Sequence, residues 1–195
     1  MLPDDGRLPS SGKVRAVFLD RDGVINRSEV VDGKPYAPRE LSRFRLLPGV
    51  RSAVARLKEA GFRVIVVTNQ PDIGNGLVSR STVDAMNRIV RSRVGVDDVK
   101  MCPHSQRSGC ECRKPGISLL LEAAEEWGLD LSASYFVGDR ESDIVSGRRA
   151  GCYTVFVDRG YLEKVDEAPD ARASSLPQSV AIILRHSRQL KGCDQ

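Results

Sequence analysis

The chain has 195 residues, 41% of them apolar, with a formal net charge of +4. That length suits one ordinary domain with a real core, and the mild positive balance fits either an anionic small ligand or a plain soluble surface. No run approaches the roughly 18 apolar residues of a membrane span, and the N-terminus lacks an apolar signal core. This excludes a membrane protein and leads to the expectation of a cytoplasmic protein with reduced thiols.

Residues 1–13, rich in Pro, Gly, Ser and Asp, read as a flexible tail, and 14–195 as a single domain. VRAVFLD (14–20) is a short continuous apolar run of the kind a parallel strand buried on both faces shows. The Pro- and Gly-containing stretch 23–47 carries no clear helix. Pro48 opens a helix with Val50, Val54 and Leu57 on one face, and Gly61 ends it. RVIVVT (63–68) is a second buried strand. Ser79 is an N-cap for a helix to about Arg93, with Val83, Met86 and Val90 sharing a face. VDDVKMC (96–102) is a third, weaker strand, GISLLLEAAEEWG (116–128) a helix, and SYFVGD (134–139) and CYTVFVD (152–158) strands four and five around the helix ESDIVSGRRAG. Residues 160–176 read as irregular, before a last helix near 177–191. Strands alternating with helices give an α/β fold: a three-layer, Rossmann-like domain with a mostly parallel sheet. Ligands of such sheets sit beyond the carboxyl ends of the strands.

Those ends carry a specific set of residues. Strand one ends in Asp20-Arg21-Asp22-Gly23, strand two in Thr68-Asn69-Gln70 and strand four in Gly138-Asp139-Arg140 with Asp143 beyond; Arg113-Lys114-Pro115 opens the third crossover. Three carboxylates on one rim repel each other unless a divalent cation lies among them, and an oxygen-only set suits Mg²⁺. A metal, a lysine and a threonine hydroxyl gather charge around phosphorus, while a carboxylate held in line can act as nucleophile.

In FLDRDGVIN, VVTNQ, RKP and VGDRESD the chain resembles the haloacid dehalogenase superfamily of phosphatases over roughly residues 14–160. The resemblance implies Asp20 as nucleophile, Asp22 as general acid and then base, and Thr68 and Lys114 on the transferring phosphoryl group. It implies Mg²⁺ held by Asp20, the backbone carbonyl of Asp22 and Asp139, with Asp143 assisting through water. A phospho-receiver domain uses similar residues but needs its phosphorylated Asp at the end of strand three, which here reads Lys100-Met101-Cys102.

MCPHSQRSGCECRKP (101–115) puts Cys102, His104, Cys110 and Cys112 within eleven residues. Three thiolates and an imidazole fill a tetrahedron and leave no open position, which is the pattern of a structural Zn²⁺. No finger helix lies between the pairs, so nucleic acid is not an expected partner. Cys152 and Cys193 stand alone as packed or free thiols. Cap domains of this superfamily enter after strand one or strand three; neither gap has room for one, so the fold is expected to be capless. The zinc-tied loop resembles a subgroup whose members act on heptose bisphosphates and on histidinol phosphate. By that likeness Arg113 and Arg140 contact substrate, with Asn69 and Gln70 beside them, and the substrate is a small sugar phosphate handled by a monomer. The five-residue gap between the metal pairs resembles the histidinol-phosphate members instead. A zinc-stabilised binding module is the non-enzymatic alternative.

Overall fold

The computed structural model describes residues 14–192; the expected tail and Cys193 lie outside them. In chain order the elements are β1 (Ala16–Leu19), β2 (Glu29–Val31), β3 (Lys34–Tyr36), α1 (Val50–Glu59), β4 (Arg63–Asn69), α2 (Pro71–Gly74), α3 (Arg80–Ile89) and β5 (Asp98–Cys102). There follow α4 (Ser118–Trp127), β6 (Tyr135–Gly138), α5 (Glu141–Arg149), β7 (Tyr153–Val157), β8 (Ala171–Ala173) and α6 (Leu176–Gly192). Six strands form one parallel sheet in the order β5-β4-β1-β6-β7-β8.

The continuous apolar runs are explained by burial on both faces. Along β1, Val17 and Leu19 join one apolar cluster and Ala16 and Phe18 the other; β4 divides Val64 and Val66 from Ile65 and Val67 in the same way. The first cluster takes Val54 and Leu57 of α1, Met86 of α3 and Ile183 of α6, and the second takes Leu120 and Ala123 of α4. α5 lies on the α4 side, where Gly147 allows it down onto Phe136 and Thr154; a Cβ there would stand 2.8 Å from each. The result is the three-layer arrangement expected, with no inserted cap domain among the described residues.

Three elements depart from the sequence expectation. The stretch 23–47 contains the antiparallel hairpin β2–β3. Its turn residues Asp32 and Gly33 both have positive φ (49° and 73°), as a two-residue hairpin turn requires, and Asp-Gly is the sequence signal for that turn. The helix from Ser79 is α-helical only to Ile89 and continues as a π-turn over Val90–Val94, which Gly95 (φ 86°) ends. Ser79 caps it as expected, accepting from Thr82 N at 3.1 Å. The stretch 160–176 ends in β8, a three-residue edge strand too short to show a period.

Candidate active site

Asp20 is the first residue beyond β1. Its N–H donates to Val137 O (2.9 Å), which seats it between β1 and β6 at the middle of the sheet. Lys114 reaches it from the loop before α4 and is 3% exposed. Its Nζ donates to Asp20 Oδ1, Asp143 Oδ1 and Val67 O, each at 2.7 Å, so all three ammonium hydrogens are engaged within the site. Burial pulls the ammonium down, but the Asp143 and Asp20 carboxylates outweigh it and hold it well above its ordinary value. For Asp20, burial wins over the pull of Lys114, and with Asp143 and Asp22 adding repulsion its carboxyl rises to about 6.

Asp139, two residues after Val137 on β6, is 2% exposed, and neither carboxylate oxygen has a well-formed hydrogen bond. Burial, then the Asp20 and Asp143 charges, push it well above the usual carboxylate range. Oxygens of Asp20, Asp139 and Asp143 lie within 4.8 Å of one another. Counting Asp22, four carboxylates stand against two buried cations, Arg21 and Lys114. Two negative charges are in excess, which is what one divalent cation on hard oxygen ligands would balance. The donor set and the unpaired Asp139 oxygens fit Mg²⁺.

Two residues frame Asp139: Tyr161, which the sequence did not mark, and Gly23, whose motif was visible but whose approach to Asp139 was not. Tyr161 places its hydroxyl beside this carboxylate; burial first, and then the Asp139 charge, push the phenol upward. Gly23 has φ +87°, and a Cβ there would lie 1.7 Å from Asp139 Oδ2. Gly23→Ala therefore meets both a left-handed backbone and the Asp139 carboxylate. The left-handed conformation costs about 1–2 kcal/mol, and a displacement near 1 Å at the site costs on the order of 10²-fold in rate. The expected result is a kcat/KM lowered about 10²-fold with Tm down by roughly 2–8 °C. Steady-state kinetics beside a thermal melt check it, and unchanged kinetics contradict it.

Asp22 is fixed by three neighbours. Arg21 Nη2 donates to both its oxygens (3.1 and 3.0 Å), Asn26 Nδ2 to Oδ1 (2.8 Å) and Gln70 Nε2 to Oδ2 (2.6 Å). Gln70 is 1% exposed and also donates to Thr68 Oγ1 at 2.9 Å. It thus joins the Thr68 hydroxyl of β4 to the Asp22 carboxylate and does not line the cleft. Asn69 braces Lys114, accepting from its backbone N–H (3.0 Å) and donating to its carbonyl (3.2 Å). The sequence did not single out Arg21 as a site residue. It is fully buried, bonded to Asn87 Oδ1 (2.9 Å), and lies 5.7 Å from the Phe44 ring centroid.

Cys102, His104, Cys110 and Cys112 come together as one group. The Cys112–Cys102 and Cys102–Cys110 sulfur separations are 3.2 and 3.6 Å, and His104 Nδ1 lies 3.1 Å from Cys112 and 3.7 Å from Cys102. Sulfurs bound tetrahedrally at about 2.3 Å from zinc stand roughly 3.8 Å apart, so the cage is near that size. Burial and the adjoining Cys102 and Cys110 thiols push Cys112 up to about 12, the crowding a cation would relieve. The loop also bears on α2: a Cβ on Gly74 would lie 2.4 Å from Ser105 N, and Gln70 N donates to Cys102 O (2.8 Å). Cys152, by contrast, is a core thiol whose burial raises it to about 12.

These groups open on a cleft of about 760 Å³ lined by Asp20, Asp22, Lys114, Asp139 and Asp143 at its floor. Arg113 and Arg140 also line it, as do Lys34 and Tyr36 of the hairpin. Arg113 Nη1 is buried without a hydrogen-bond partner. No helix among the described residues is long and apolar enough to cross a membrane.

A family model described as HAD-hydrolase-like matches residues 111–181. A D-glycero-beta-D-manno-heptose-1,7-bisphosphate 7-phosphatase of Rhodopseudomonas palustris is 36% identical over 148 residues, 70% of this chain and 79% of the relative. A D-glycero-alpha-D-manno-heptose-1,7-bisphosphate 7-phosphatase of Burkholderia mallei is 38% identical over 190 residues, 91% and 92% of the two chains. Among solved structures, a D,D-heptose 1,7-bisphosphate phosphatase of B. bronchiseptica complexed with magnesium and phosphate superposes with a TM-score of 0.76. It is 28% identical, and the match covers 89% of this chain and 99% of that one.

Proposed function

The chain belongs to the HAD-like phosphatases, a family of phosphoric monoester hydrolases, and from that premise we propose that it removes the 7-phosphate of D-glycero-D-manno-heptose 1,7-bisphosphate. The observation that carries the reading is the floor of the cleft: Asp20 on Lys114, with Asp143 sharing the ammonium and the unpaired Asp139 alongside. The walls add the substrate class. Arg113, Arg140 and Lys34 line the cleft above that floor, cationic groups suited to a second anionic group on a small sugar.

Asp20 supplies the nucleophilic oxygen. It bonds to phosphorus as the bond to the sugar oxygen breaks, and Asp22 gives that oxygen its proton. Asp22, now a carboxylate, takes a proton from water, whose oxygen bonds to phosphorus as the bond to Asp20 breaks; Asp20 is left a carboxylate and Asp22 the acid it began as. The Gln70 amide can serve either state of Asp22: Nε2 donates to the carboxylate, and the amide turned over presents Oε1 to the acid. Lys114 holds Asp20 in place and keeps a positive charge against the phosphoryl oxygens. Asp20, Asp139 and the backbone carbonyl of Asp22, with Asp143 behind them, would hold Mg²⁺, which when bound offsets charge on the phosphoryl group. Cys102, His104, Cys110 and Cys112 would hold a structural Zn²⁺ that fixes the loop leading into Arg113 and Lys114.

Phosphate release from a panel tests the substrate. The panel holds both anomers of the heptose bisphosphate, histidinol phosphate and common hexose phosphates. The expected result is a kcat/KM for a heptose bisphosphate at least about 10²-fold above every other compound, in line with what a second charged contact supplies. Histidinol phosphate turned over as fast as the bisphosphate contradicts it. EDTA should abolish turnover and added Mg²⁺ restore it; phosphate release that persists without metal counts against the site as drawn.

A further inference from the structure

Arg140 cannot offer a whole guanidinium to the cleft, because Glu163 already holds one side of it. Nε donates to Glu163 Oε2 at 2.9 Å and Nη2 to Oε1, a bidentate pair. Both residues line the cleft. The pairing uses the side edge of the guanidinium and leaves Nη1 and the remaining Nη2 hydrogen, the terminal fork, without a partner among the described residues.

The carboxylate is placed rather than free to drift. Glu163 lies in the irregular segment between β7 and β8, which is tied down on both sides of it. Leu162 N donates to Gly33 O of the hairpin (2.9 Å), and the Leu162 side chain covers Gly33 so closely that a Cβ there would lie 2.4 Å from it. Beyond Glu163, Asp166 N and Glu167 N both donate to Glu141 Oε1 (3.0 and 3.3 Å), and Arg148 Nη1 donates to Ala168 O (2.6 Å). Arg140 itself is fixed at its backbone, where its N–H donates to Asp143 Oδ2 at 3.0 Å. The segment that seats Glu163 also carries Tyr161 to Asp139.

We propose that Glu163 is a specificity-determining positioning residue: it holds the side edge of Arg140 so that the terminal fork receives the second, non-reacting anionic group of the substrate. A bidentate clamp on one edge fixes the plane of the guanidinium, and a fork held in that plane loses less freedom on meeting phosphate oxygens. The contact is made to a group that takes no part in bond cleavage, so its loss is read in the affinity of the bisphosphate and not in the turnover of a substrate that lacks the second group. This rests on the phosphatase reading above and adds to it the residue that selects bisphosphates over monophosphates.

The test uses p-nitrophenyl phosphate, which has no second anionic group, as the turnover assay, with heptose 1,7-bisphosphate as competitor. In Glu163→Gln the Ki of the bisphosphate should rise about tenfold, the scale of one charge-assisted contact. kcat and KM for p-nitrophenyl phosphate should stay within about twofold, which also shows that the variant is folded. Glu163→Asp, which keeps the charge, should recover part of the loss. Arg140→Gln should raise Ki by as much as Glu163→Gln, and the double variant should be no worse than Arg140→Gln alone. An unchanged Ki in Glu163→Gln, an equal loss on both compounds, or additive effects in the double variant each overturn the proposal. A wild-type enzyme that cleaves p-nitrophenyl phosphate but not the bisphosphate overturns the substrate assignment instead, while Ki still decides the role of Glu163.

Discussion

Asp20→Asn is expected to lower kcat by a factor on the order of 10⁵ or more, the scale seen when a covalent nucleophile is removed, while the metal-free protein melts no lower than wild type. The two halves have one cause. Asp20 lies 7% exposed among Asp143, Asp22 and Asp139, and burial followed by those charges outweighs Lys114 to lift its carboxyl to about 6. A carboxyl raised above its unfolded value costs stability at neutral pH, and that cost is relieved as pH falls through about 6. Asparagine is neutral throughout and keeps an oxygen for the Lys114 ammonium. It removes the cost and the nucleophile together, the usual opposition of stability and activity at a built site. Stopped assays beside thermal melts at pH 7 without metal check both halves. Near wild-type turnover contradicts the assignment of Asp20, and a much lower Tm contradicts the electrostatic reading.

The second large effect concerns the cysteine cage. Cys110→Ser removes one of the four residues proposed to hold Zn²⁺, in a group whose neighbours stand 3.1–3.7 Å apart. Zinc in the purified protein is expected to fall from near one per chain to well below one. Activity should fall with it by roughly 10²-fold, the penalty for displacing catalytic groups by about 1 Å. The route is short: Cys112 precedes Arg113 and Lys114 in the chain, and Asn69 is bonded to both backbone polar groups of Lys114. The loop also touches the segment after Gln70 through Gly74. Freshly purified wild-type protein with no zinc and full activity contradicts the structural role. So does a Cys110→Ser variant with unchanged metal content.

The sheet and the floor of the cleft were legible because each depends on a local pattern. Val17–Leu19 and Val64–Val67 are unbroken apolar runs, which only strands covered on both faces need, and Asp20 and Thr68 stand where those runs stop. The hairpin β2–β3 was less visible because Val30 and Val31 are exposed and give no buried face to count, although Asp32-Gly33 carried its turn signal. β8 spans three residues and shows no period. Arg21, Tyr161 and Glu163 escaped for a different reason. A buried arginine, a phenol and a carboxylate gain their roles from partners elsewhere in the chain: Asn87 on α3, Asp139 just after β6 and Arg140 ahead of α5. Gln70 shows the limit from the other side, since the TNQ motif marked it but not the direction in which its amide faces.

The assignment of Asp20 as nucleophile is tested most directly by trapping the acyl phosphate. Wild-type enzyme quenched during turnover of the heptose bisphosphate with Mg²⁺ and reduced with borohydride is expected to carry homoserine at position 20, read by peptide mass spectrometry, with Asp22, Asp139 and Asp143 unmodified. Turnover with no modification at Asp20, or with reduction at another of these carboxylates, contradicts it.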